Sequence, residues 1–316
     1  MTARNRIDVH HHTLPQFYKD AQIKHGITGS SYAAFPEWTA ENSLGLMDKL
    51  DIAGSILSFT SPGIWYGDPA ETRDLARKCN EFLAEQAADH PQRFGGFAIL
   101  PLPDNDACLN EIAYVYDELG LDGITLLTSV NGRYVGHPDF EVVYAELDRR
   151  EAVVHIHPCY PPGTVATDWD IPGMLIDYPF ETTRVAVNLI FQGVVERYPN
   201  IRFILSHAGG TLPFLTHRLA AFEKLMPQRD NYPNGTTAAI AKFWFDTAAN
   251  GHAQPLQALT EVADPARILF GTDYPYVNAE NVAKETAGLD AWDGFTSDQR
   301  AAVDRTNAQA LFPRFA

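Results

Sequence analysis

Between residues 52 and 100 the chain reads IAGSILSFT (52–60), PAETRDLARKCNEFLAEQAAD (69–89) and FGGFAIL (94–100). The outer segments are short, apolar and rich in β-formers, whereas the middle one repeats its apolar residues with the period of an amphipathic helix. Two strands joined by a helix of this length form a parallel pair, because an antiparallel pair needs only a tight turn. The same alternation extends in both directions. Strands are predicted at 7–10, 123–127, 152–157, 201–206, 243–247 and 268–271. Helices are predicted at 40–50, 107–119, 140–149, 181–197, 212–225, 254–263 and 298–311. Eight strand–helix pairs favour a closed (β/α)8 TIM barrel in the α/β class, with an open doubly wound sheet as the runner-up. No linker, charge block or short repeat interrupts the alternation, so residues 1–316 read as a single domain. Segments 14–39 and 160–180, after strands one and five, exceed ordinary loop length and lie where barrel active sites are built.

Composition narrows the partners. A chain of 316 residues with 45% hydrophobic and 20% charged residues can bury a large core. Its net charge of −16 repels polyanions, which argues against nucleic acid and anionic membrane surfaces as partners. Cys79, Cys108 and Cys159 are odd in number and widely spaced, which suits reduced thiols in a cytoplasm. Neither a signal-peptide core nor an apolar run of membrane-spanning length is present in the sequence, and a soluble cytoplasmic protein is expected.

The chemistry gathers at strand ends. Asp8-Val9-His10-His11-His12 closes strand one, and alternation sends His10 and His12 into the barrel mouth, with His11 the other way. Two imidazoles about 7 Å apart on one face can grip a single metal, although a plain histidine cluster would read the same way. His155-Ile156-His157-Pro158 closes strand five, where His157 lies at the rim and His155 one layer deeper, the place of a hydrogen-bonded core histidine. Ser206-His207-Ala208-Gly209-Gly210 closes strand six, and its glycines allow a sharp turn beneath a ligand. Gly271-Thr272-Asp273-Tyr274-Pro275 closes strand eight; an isolated Asp there would serve as a helix cap. Together they predict a mononuclear site of His10, His12, His157 and Asp273, with His207 to spare.

These motifs resemble the branch of the amidohydrolase superfamily typified by aminocarboxymuconate semialdehyde decarboxylase, over nearly the whole chain. The triple histidine, Gly123-Ile-Thr-Leu, and Ile176-Asp-Tyr-Pro-x-Glu181-Thr-Thr-Arg184 are most similar to 6-methylsalicylate decarboxylases. The closing Asn307-Ala-x-x-Leu-Phe-Pro is also similar to that branch. The resemblance implies one divalent ion on His10, His12, His157 and Asp273, with zinc favoured and manganese possible, and His207 and Asp273 as catalytic residues. It also implies that Arg218 meets a substrate carboxylate, sometimes across a homodimer interface; a surface ion pair is the plain alternative. Strand four lacks the Lys or Glu that bridges a second metal, which disfavours a binuclear hydrolase. No arginine lies between Arg6 and Arg73, so a second anion-binding arginine is absent and a dicarboxylate substrate is disfavoured.

The loop after strand one carries Phe17, Tyr18, Tyr32, Phe35 and Trp38, and strand two is followed by Trp65 and Tyr66. Phe35, Trp38 and Trp65 are candidates to wall an aromatic substrate, with a minicore beneath the loop or a dimer contact as the equal alternative. Cys159 reads as a packing residue, the remaining histidines as structural, and Asp246 as undecided between a loop and the site. The expected activity is non-oxidative decarboxylation of a small aromatic ortho-hydroxy carboxylate. In it, the metal chelates both oxygens and Asp273 or His207 supplies a proton. Metal-dependent hydrolysis of a lactone, amide or C–C bond is the alternative, and a metal-binding protein without turnover a minor one.

Overall fold

Eight parallel strands run in sequence order around one sheet: β1 (Arg6–His12), β2 (Ile52–Ser58), β3 (Phe94–Ile99), β4 (Gly123–Leu127), β5 (Val153–His157), β6 (Arg202–Leu205), β7 (Trp244–Asp246) and β8 (Ile268–Leu269). The computed structural model describes residues 4–30, 33–162 and 171–316. Each strand is followed by helix, including α1 (Gln16–Lys24) and α2 (Ala40–Lys49) after β1 and α3 (Pro69–Asp89) after β2. The expected (β/α)8 architecture is the observed one. Both faces of the sheet are covered, which is why its strands read as nearly continuous apolar runs.

Barrel closure rests on single bonds rather than a ladder. Val9 N donates to Phe270 O at 3.0 Å, Asp273 N to His10 O at 2.7 Å and His12 N to Tyr274 O at 2.7 Å. Across this seam the buried Asp8 carboxylate accepts from Thr272 N (3.0 Å), Thr272 Oγ1 (2.6 Å), His10 N (3.0 Å) and His11 Nδ1 (2.9 Å). Below the seam, Ala308, Leu311, Phe312 and Phe315 close the base of the barrel against Ile7, Val9 and Phe97.

Three local readings differ from the sequence expectation. The segment 14–39 is not one long loop: it holds α1 and a small hairpin pairing Gly29–Ser30 with Ala33–Ala34. The helix expected at 181–197 begins earlier, as α4 (Gly173–Phe191), and runs through Pro179 before breaking at Gly193 with φ +75°. Thr182 Oγ1 and Thr183 Oγ1 donate to the carbonyls of Tyr178 and Pro179, taking up acceptors near the proline. A helix at Ala279–Ala291, capped by Asn278, follows β8 where none was expected. Tyr32 lies outside the described residues.

Asp8→Ala would leave several buried donors at the seam without an acceptor, each costing about 1–3 kcal/mol. With metal removed by a chelator, thermal unfolding of this variant is expected at least roughly 6 °C lower than wild type. An unchanged midpoint would show that Asp8 does not staple the barrel.

Candidate functional site

The register between β1 and β2 shifts between Asp8 and His11, a bulge. Val9 belongs to the inner cluster at the barrel base, and after the shift His10 and His12 follow it inward while His11 turns out to Ser43 Oγ, 3.0 Å away. On β5, Leu127 of β4 pairs with His157 and Thr125 with His155, which puts His155 one layer below the rim as expected. Gly271 lets the chain after β8 pass close to β1: a Cβ there would lie 2.9 Å from that of His10.

Three strand ends, those of β1, β5 and β8, bring one donor atom each from His10, His12, His157 and Asp273 within 4.8 Å of one another. His10 Nε2 and His12 Nε2 are 3.0 Å apart, and Asp273 Oδ1 lies 2.9 Å from His12 Nε2 and 3.4 Å from His10 Nε2. The outer ring nitrogens are held from behind. His10 Nδ1 pairs with Asp246 Oδ2 at 2.9 Å, His12 Nδ1 with Ser58 Oγ at 3.0 Å and His157 Nδ1 with Pro158 O at 2.8 Å. Such backing turns the Nε2 atoms of His10 and His12 toward one another, the arrangement of metal-binding histidines, while Thr60 Oγ1 lies 2.7 Å from His157 Nδ1 and 3.1 Å from its Nε2.

Asp246 is a hub that spacing alone left undecided. Besides His10 it accepts from His155 Nε2 (3.2 Å), His207 N (3.0 Å) and Ala248 N (3.0 Å). His155 therefore backs Asp246. His207 and Ala208 both sit at φ +55° and Asp273 at φ +60°, left-handed conformations that are uncommon for non-glycine residues and cluster at functional sites. This geometry brings His207 Nε2 to 3.2 Å from Asp273 Oδ2. His207 Nδ1 is buried without a hydrogen-bond partner among the described residues.

Charge is the second half of the geometry. Among the described residues, Asp246 and Asp273 form ion pairs only with histidines, never with lysine or arginine. Burial disfavours the charged form of His10, yet the Asp246 and Asp273 carboxylates outweigh it and raise its pKa to about 10. Burial lowers His12 and His155 to about 4, and pushes His157 well below the usual histidine value. Burial opposes ionisation of Asp246 and Asp273 as well, but His10 and their other histidine partners keep both pKa values low. Two buried anions thus face one cationic and several neutral imidazoles. A divalent cation fits this donor set: it would replace the proton on His10 and balance both carboxylates.

A cavity of about 460 Å³ opens above the cluster, bordered by His157, His207, Asp273, Thr60, Asn250 and the aromatic rings of Tyr178 and Tyr276. The residues expected to wall a substrate lie elsewhere. Phe35 and Trp38 are buried in the main core, Trp38 edge-on to Phe82, and it is their neighbours Ala34 and Pro36 that border the cavity. Trp65 lines a second cavity, and Arg218 is exposed on the helix Leu212–Phe222 with its guanidinium over Phe222. Cys159 packs against Thr128 Oγ1 at 3.2 Å. Tyr178 lies within segment 160–180 and Tyr276 just after the Asp273 motif; neither was given a role from the sequence, and proximity to those motifs was the available signal.

Comparison with known proteins agrees with this geometry. Residues 7–314 match the profile of the amidohydrolase family. A 6-methylsalicylic acid decarboxylase of Penicillium expansum is 38% identical over 314 residues, covering 98% of this chain and 96% of the relative. A gamma-resorcylate decarboxylase of Rhodococcus jostii is 29% identical over 289 residues, covering 85% and 86%. Among solved structures, an amidohydrolase II superposes with a TM-score of 0.91 at 32% identity, covering 97% of this chain and 99% of the other. Its profile match, its relatives and its barrel together establish that the chain belongs to the amidohydrolase family.

Proposed function

We propose that this protein is a metal-dependent, non-oxidative decarboxylase of small aromatic acids bearing a hydroxyl ortho to the carboxylate. The carrying observation is the convergence of three imidazoles and one carboxylate beneath a cavity that contains a proton-transfer pair and aromatic walls. Relatives at 38% and 36% identity that carry decarboxylase names, aligned over 98% of this chain, support the reaction class.

His10, His12, His157 and Asp273 would hold one divalent ion, with zinc favoured by the nitrogen-rich set and manganese the alternative. When bound, the ion supplies a Lewis acid that fixes the substrate's carboxylate and neighbouring oxygen. The chain's own residues do the rest. Tyr178 and Tyr276 border the ring, as T-shaped neighbours of His157 and His12 at 6.4 and 5.5 Å. The His207–Asp273 pair moves the proton: it is delivered to the ring carbon bearing the carboxylate, forming a C–H bond. The C–C bond to the carboxylate then breaks, its electron pair returns to the ring, and carbon dioxide leaves as aromaticity is restored.

Phe214, Phe222 and Leu225 are exposed on the helix that carries Arg218 and the turn after it, and we propose this as the surface through which two copies pair. Arg218 lies outside its own chain's cavity lining, so its role toward a substrate carboxylate is played across that interface. Among the described residues no helix is long and apolar enough to cross a membrane, and the three buried free thiols suit the reducing cytoplasm proposed as its location. Light scattering at micromolar concentration is expected to give twice the 35.1 kDa chain mass; the monomer mass would return Arg218 to the surface.

A panel of hydroxybenzoates, muconate semialdehydes, lactones and amides tests the activity. Carbon dioxide release from an ortho-hydroxybenzoate such as 6-methylsalicylate is the expected result. Lactone or C–C bond hydrolysis without carbon dioxide would replace the decarboxylase by a hydrolase.

A further inference from the structure

Beside the metal-facing cavity lies a second one of about 280 Å³. Its walls come from Ile64 and Trp65 after β2, Ile99 on β3, Leu127 on β4, Val130 on the hairpin that follows, and Cys159 and Tyr160 after β5. None of the four converging donor residues borders it. The two cavities share one lining residue, Ser61, whose Oγ accepts a hydrogen bond from Tyr178 OH at 3.1 Å. Tyr178 borders only the metal-facing side, so this bond lies on the boundary between them.

An apolar cavity of about 150 Å³ already accepts benzene, so the second cavity has room for a chain of several carbons. A second, independent feature points the same way. Thr125 is 1% exposed and lines the cavity, yet its Oγ1 has no hydrogen-bond partner among the described residues. A buried hydroxyl without a partner is a place where a ligand's oxygen would be received.

We propose that this second cavity is a substrate subsite that takes an apolar ring substituent larger than methyl, while the carboxylate and ortho-hydroxyl remain over the four donors. Thr125 marks where an oxygen on that substituent would bind. The inference rests on the decarboxylase reading and deepens it: the substrate class becomes 2-hydroxybenzoates carrying an alkyl or oxygenated alkyl chain.

The test compares salicylates carrying methyl or pentyl at C4, C5 or C6, in wild type and in Val130→Trp. Val130 is half-buried, borders only the second cavity and takes no part in the proposed chemistry. In wild type, kcat/KM for at least one pentyl acid is expected within about tenfold of its methyl analogue. Val130→Trp is expected to lower the pentyl value at least about tenfold and leave the methyl value within about twofold, as filling a hydrophobic pocket does. The subsite is overturned if wild type turns over methyl acids but rejects every pentyl acid, or if the variant affects both equally. It is also overturned by non-competitive inhibition of the methyl acid by the pentyl acid, which would make the cavity a separate site. If no acid loses carbon dioxide, the decarboxylase reading fails by itself. Calorimetric Kd values then decide the subsite: selective weakening of the pentyl acid in Val130→Trp supports it, and equal Kd values overturn it.

Discussion

Two buried carboxylates, Asp246 and Asp273, meet across a cluster of imidazoles whose nitrogens come as close as 3.0 Å. Neither the anions nor the facing lone pairs are tolerable buried in the barrel mouth without positive charge between them. A proton on His10 meets that need in part, and a divalent cation meets it fully. The rest of the site follows from satisfying this constraint. The bulge in β1 turns two histidines inward, Asp8 pins the seam that carries Asp273 across to them, and Asp246 orients His10 while anchoring the backbone of His207.

That hub explains why an inner-layer histidine is present at all. His155 does not reach the cavity; it bonds the same Asp246 Oδ2 that receives His10 and stacks on Phe97 at 5.5 Å. A carboxylate shared by two imidazoles and two backbone amides has little freedom left, so His10 and His207 are set in a fixed relation. The left-handed backbone at His207, Ala208 and Asp273 is the conformational cost of that relation.

Much of this was legible in the sequence. The barrel followed from alternating periods, because strand and helix patterns are local properties of the chain. The four donors followed from alternation plus topology, since in a (β/α)8 barrel every strand end converges on one face. What was not legible depended on contacts between distant segments. Asp246 could not be assigned because its pairing with His10 spans β7 and β1, and no spacing along either strand encodes it. Phe35 and Trp38 looked like substrate walls, yet which way a loop side chain points is settled by packing against Phe82 and the core. The early start of α4 was hidden by Pro179, which in isolation argues for a helix end.

The central claim is that His10, His12, His157 and Asp273 hold one ion while His207 stays outside its coordination and moves the proton. Metal content per chain, measured by plasma mass spectrometry on wild type and His207→Ala together with their turnover, tests it most directly. The account predicts one zinc or manganese per chain in both proteins, with the variant's rate lower by at least about a hundredfold. A metal-free wild type with full activity, or loss of the ion from His207→Ala, would contradict it.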